Sequence, residues 1–87
     1  MEEVDKILYK LGYYDSNSQK REEVQGYIDE AVEFMTESGV PDDKLTCQRA
    51  YAVKSIWADL RDKGDDNSIV IKDGMIVALI SQMRRGG

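Results

Sequence analysis

Histidine is absent from this 87-residue chain, and cysteine, proline, phenylalanine and tryptophan occur once each. Without histidine the chain lacks the side chain most used as a general base and zinc ligand near neutral pH, so most hydrolase and metalloenzyme schemes lose their central group. Cys47 has no second thiol to pair with, which excludes an internal disulfide framework and fits a reducing compartment. Glycines 12, 26, 39, 64 and 74 stand alone and only Gly86 and Gly87 adjoin, so no phosphate-cradling loop is present. No apolar run approaches the roughly 20 residues of a bilayer span. Met1-Glu2-Glu3 is acidic where a signal peptide is basic, and the chain reads as soluble and made in the cytoplasm, with no membrane partner.

What is present is charge and a moderate apolar content. Apolar residues make up 41% and charged residues 33%, which indicates a globular chain rather than a disordered or fibrous one. Seventeen acids against twelve bases give a net charge of −5, the wrong sign for a protein that binds by neutralising phosphates. The length corresponds to one helical domain over residues 1–87, able to hide roughly 64% of its surface.

The apolar spacing is helical nearly throughout. Val4, Ile7, Leu8 and Leu11 form the stripe of a helix over residues 2–11, with Gly12 as its stop. Ser16 and Gln19 have the spacing of a capping box, and the second helix runs to about residue 38 on a stripe of Val24, Tyr27, Ile28, Ala31, Val32 and Met35. Phe34 falls off that stripe, and Gly26 interrupts it either because a neighbour crosses closely or because the cost is tolerated. Residues 38–43, Ser-Gly-Val-Pro-Asp-Asp, form a short connection to a third, central helix that starts at Asp42 or Asp43 and reaches Lys63. Leu45, the Arg49 stem, Ala52, Val53, Ile56, Trp57 and Leu60 make its stripe. Residues 68–72, Ser-Ile-Val-Ile-Lys, have strand character but no partner run, so they form an extended arm, pair with another subunit, or open into a helix. A fourth helix covers residues 74–84. The expected fold is all-α, a small four-helix bundle with one extended loop or short strand before the last helix.

Clustered polar groups admit both chemical and structural readings. Asp62, Asp65, Asp66, Asn67 and Asp73 lack the spacing of a calcium loop and read better as a solvated turn. Asp29, Glu30, Glu33 and Glu37 have the spacing of di-metal carboxylates but lack the accompanying histidines, leaving an acidic solvent face. Cys47 reads as a small packing hydrophobe, and Tyr9, Tyr13 and Tyr14 as a wedge or interface rather than a base-stacking platform. No catalytic residue, metal site or cofactor is expected. The wide apolar arc of the third helix, Phe34, and Ile69-Val70-Ile71 leave surface that is covered either by the chain itself or by association.

Residues 80–86, Ile-Ser-Gln-Met-Arg-Arg-Gly, resemble the Gln-Leu-Arg-Gly signature that ends many small proteins of the tailed-phage head-tail connector (adaptor) family, a family also linked to DNA packaging. Met83 stands in the leucine position and Arg85 is inserted before Gly86. The order of helices and the Gly-Val-Pro turn are similar over nearly the whole chain. The resemblance implies a non-enzymatic virion protein at the head–tail junction. It would form a homo-oligomeric ring beneath the portal protein, seat a tail-completion protein, and let DNA pass without sequence-specific binding. It places Gln82, Met83, Arg84 and Gly86 near the portal contact. Ile69, Val70, Ile71, Leu79, Ile80, Gln82, Met83, Arg84 and Arg85 are the expected contacts to portal or neighbouring subunits. A ring subunit needs two different side surfaces, and a sliding channel is served by a negative rather than a basic wall. The alternative reading is a small acidic inhibitor or antitoxin-like module that occupies a basic partner protein.

Overall fold

The structure, a computed structural model, describes residues 2–14 and 17–85. Five helices account for the described fold: α1 (Glu3–Lys10), α2 (Ser18–Glu37), α3 (Gln48–Asp62), α4 (Asn67–Val70) and α5 (Gly74–Arg84), with a 3₁₀ turn over Asp42–Lys44. The all-α expectation holds, and no strand occurs among the described residues. No described helix is long and apolar enough to cross a membrane.

Local chemistry sets most helix ends. Glu3 and Asp5 open α1 and Lys10 closes it, in accord with the helix dipole. Asn17 caps α2 by accepting from the Lys20 amide at 2.9 Å. The expected Ser16 cap lies outside the described residues. After α2, the Val40 amide donates to Met35 O and the Gly39 amide to Thr36 O, which is the paired bonding of a Schellman stop. It requires the left-handed φ of +94° that Gly39 supplies. Gly26 has open space where a Cβ would stand, so no neighbour crosses closely and the glycine is a tolerated cost.

α3 begins later than its periodicity predicts. Residues 42–47 are stitched by i to i+3 bonds, from the Lys44, Leu45 and Cys47 amides to Pro41, Asp42 and Lys44 carbonyls. Extended Cys47 then restarts the chain as the cap of α3. Thr46 and Cys47 are weak helix formers, and the Lys54 ammonium holds Leu45 O at 2.7 Å, which fixes the corner. The buried face of α3 is consequently rotated from the expected stripe. Ala50, Val53, Lys54, Trp57 and Ala58 are buried, Ala52, Ile56 and Leu60 are half-buried, and Arg49 is exposed.

Residues 68–72 are not extended. Asp66 accepts from the Ile69 amide and from Ser68 Oγ, nucleating the single turn of α4, and the amides of residues 69–73 all find carbonyl partners. A lone strand would have left these groups without ladder partners, so the cap chemistry overrides the β-branched preference.

Two apolar clusters build the interior. The larger gathers Ala31, Met35, Val53, Trp57, Val70, Ile76, Ile80 and Met83 from α2 to α5, and Phe34 packs on Trp57 with ring centroids 5.5 Å apart. The smaller joins Val4, Ile7 and Leu8 of α1 to Val24, Ile28 and Ala58. α3 lies between α2 and α5, the central position its wide apolar arc implied.

Candidate functional site

Asp73 accepts from the amides of Met75 and Ile76, both at 3.0 Å, and so starts α5 with three residues between it and α4. The resulting corner sorts the expected contact residues into two groups. Val70, Ile80 and Met83 are core residues, and Ile71 and Leu79 pack half-buried against them. Ile69, Gln82, Arg84 and Arg85 are exposed. Removal of residues 80–87 would therefore take Ile80 and Met83 out of the core rather than trim a tail.

At its far end α5 meets the start of α3. Arg49 Nε donates to Gln82 Oε1 at 2.8 Å, and Cys47 Sγ lies 3.7 Å from Met83 Sδ. Cys47 is half-buried there, as a packing thiol. Arg85 donates to Ser81 Oγ at 3.2 Å, and Arg84 Nε lies 3.5 Å from where a Cβ would stand on Gly39. The two arginines sit at the negative end of the α5 dipole.

The large hydrophobic side chains left in water fall in two places. Ile69, Met75 and Val77 lie at the α4–α5 corner, and Tyr9 and Tyr14 stack edge-on at the end of α1 with centroids 4.7 Å apart; each is more than half exposed. Ile69 is exposed; Met75, which the helical spacing set on the apolar stripe with Ile76, and Val77 flank the inward-facing Ile76 at ±100° and are left outside by the helical period. The whole surface, 5374 Å², is close to the roughly 5,200 Å² expected of a compact monomer of this mass. The surplus thus resides in the character of a few sites rather than in total area.

The polar groups weighed as chemistry serve mainly as joints. Asp62 accepts Lys20 Nζ at 2.6 Å and Tyr13 Oη at 2.7 Å. Burial pushes its carboxyl up, but the Lys20 and Tyr13 hydrogen bonds outweigh this and hold it below the ordinary range. The same Asp62 hydrogen bond raises Lys20. Glu30 accepts Trp57 Nε1 and Arg61 Nε, each at 3.0 Å, and these bonds likewise overcome its burial and lower its pKa. Asp66 and Asp73 are helix caps, and no group of three potential metal ligands exists among the described residues. Tyr13 is the wedge anticipated for the tyrosine cluster. The outer face of α2 carries Glu22, Asp29, Glu33 and Glu37 as one exposed stripe.

Lys54 escaped sequence reasoning because its partner Glu3 lies 51 residues away in the chain. Its side chain is 4% exposed and its ammonium bonds both Glu3 oxygens, at 3.1 and 3.2 Å, as well as Leu45 O. One buried charge thereby ties α1 to the corner before α3.

No protein-family model, no curated protein and no solved structure matches the chain.

Proposed function

We propose that this chain is a structural, non-enzymatic subunit of a phage or prophage particle, docking beneath the portal as a ring that joins head to tail. The observation that carries the reading is the placement of exposed Ile69, Met75 and Val77 on the α4–α5 unit, whose far end bears the Gln82-Met83-Arg84 segment similar to the connector signature. Apolar side chains left in water at one end of the unit, with a basic helix end at the other, are suited to being covered by a companion. In a ring, the acidic stripe of α2 would supply a wall that repels rather than grips passing DNA.

The chain is expected to co-sediment with portal-bearing capsids, and R84E/R85E, which alters exposed residues only, is expected to lose this while keeping its helical circular dichroism. A wild-type chain that stays in the supernatant overturns the reading. The second reading, an acidic module occupying a basic partner, rests on the same α2 stripe. It requires a basic protein to be bound through Glu22, Asp29, Glu33 and Glu37, with binding that collapses as salt rises.

A further inference from the structure

We infer that the α4–α5 corner of one copy receives the Tyr9–Tyr14 pair of the next copy, a head-to-tail contact that rests on the ring reading above and specifies its subunit interface. The two sites are chemically complementary. One is aliphatic and carries the Met75 thioether, and the other is a pair of tyrosine rings, which sulfur contacts favourably and which interfaces favour.

Charge selects this pairing over the alternatives. On α1, Glu2 and Asp5 share Arg21, and Glu3 is held by Lys54. Lys6 and Lys10 are left exposed and without a carboxylate partner among the described residues; Lys10 Nζ instead lies 5.2 Å from the Tyr51 ring centroid. Among the described residues, the uncompensated charge beside Tyr9 is thus positive. Around Ile69 and Met75 stand Asp65, Asp66 and Asp73 against Lys72, while Arg61, which bonds Asp65 O at 3.1 Å, is matched by its own partner Glu30, so the net charge there is negative. Corner against corner would oppose three acids to three acids, and tyrosine pair against tyrosine pair would oppose lysines to lysines. Only the crossed pairing brings opposite signs together, the arrangement that fixes register and suppresses the wrong partner.

The positions of the sites set the outcome. α1 belongs to the smaller apolar cluster and α5 to the larger, on different flanks of the α2–α3 pair. A single contact between two different patches leaves each copy with one free patch, so the array grows beyond a dimer, and the ring reading requires that its rotation close.

Two variants test this, each altering exposed residues only: Y9E/Y14E, which spoils the aromatic site, and M75K/V77K, which spoils the corner. By native mass spectrometry at high protein concentration, wild type is expected to form multimers and each variant alone to remain a monomer. An equimolar mixture is expected to form a heterodimer and nothing larger, because one variant retains the corner and the other the aromatic pair. Homodimers of Y9E/Y14E would show that the corner pairs with itself and overturn the inference, as would wild type that stays monomeric at millimolar concentration. Capsid co-sedimentation of the wild type is read separately, so loss of this contact and loss of the portal reading are distinguishable.

Discussion

The two flanks of the α2–α3 pair are attached by different physics. α5 is held by burial: Ile76, Ile80 and Met83 enter a cluster built round Trp57, and its polar contacts are a cap and two hydrogen bonds near the surface. α1 contributes three buried apolar side chains and is otherwise secured by ions, through Glu3–Lys54, through Arg21 with Glu2 and Asp5, and through the Tyr13–Asp62–Lys20 joint after the helix. Apolar burial is indifferent to pH and strengthens with the area removed from water, whereas ion pairs depend on protonation, on salt and on the loss of either partner. The difference makes α1 the flank that opens first and the α4–α5 unit the one that keeps its shape while it is gripped.

The sharpest way to break this comparison is to remove a large side chain from each cluster. Trp57→Ala is expected to cost about 3–5 kcal/mol, enough to unfold much of a domain this small, and to lower the urea midpoint of the whole protein. Ile7→Ala is expected instead to strip hydrogen-exchange protection from α1 while α3 and α5 keep theirs. Equal falls in the global midpoint would show one cooperative unit and erase the distinction.

Lys54→Met comes next. It keeps volume but leaves Glu3 unpaired and Leu45 O without its partner, at a cost of about 1–3 kcal/mol, read as earlier release of α1 in exchange measurements. Gly26→Ala works in the opposite direction. With open space at that position and no positive φ, alanine is expected to stabilise α2 by about 0.5–1 kcal/mol, visible as a raised melting temperature.

The smallest effect is acid sensitivity confined to α1. Hydrogen bonds from Arg21 lower the Asp5 carboxyl, and Asp62 is lowered by Lys20 and Tyr13 against its burial. A depressed folded-state pKa means that the stability these groups contribute is present at neutral pH and lost as pH falls below the ordinary aspartate value of 3.8. Exchange at α1 is expected to rise through that window before exchange at α5 does, and Asp62→Asn is expected to flatten part of the rise. Simultaneous loss at both flanks would contradict the assignment.

The helices were legible because their apolar residues recur at the helical period and their ends carry stop signals, as at Gly12 and Gly39, whereas Asp73 read as part of a solvated turn and proved to be the cap of α5. Three features were not. From sequence, residues 68–72 stay open between an extended arm, an inter-subunit strand and a nearby helix start, because β-branched composition weighs against the Asp66-Asn67-Ser68 cap that opens α4. The start of α3 was misplaced because a 3₁₀ turn and an α-helix share their first apolar positions, and the break shows only in the i to i+3 bonding of residues 42–47 and the extended Cys47. Lys54 itself was invisible, since burial of a charge depends on a partner 51 residues away and leaves no local pattern. Of the candidate contact residues, Ile69, Gln82, Arg84 and Arg85 were placed on the outside, whereas Val70, Ile80 and Met83 were claimed by the core. Periodicity could not separate the two groups, because the face that buries a helix in its own domain is written in the same residues as a face that docks it on another.

The most direct test of a ring held at the portal is the native mass of the purified chain mixed with portal protein. A single complex containing a fixed, ring-closing number of copies per portal is the expected result. Separate portal and monomer masses at every mixing ratio would contradict it.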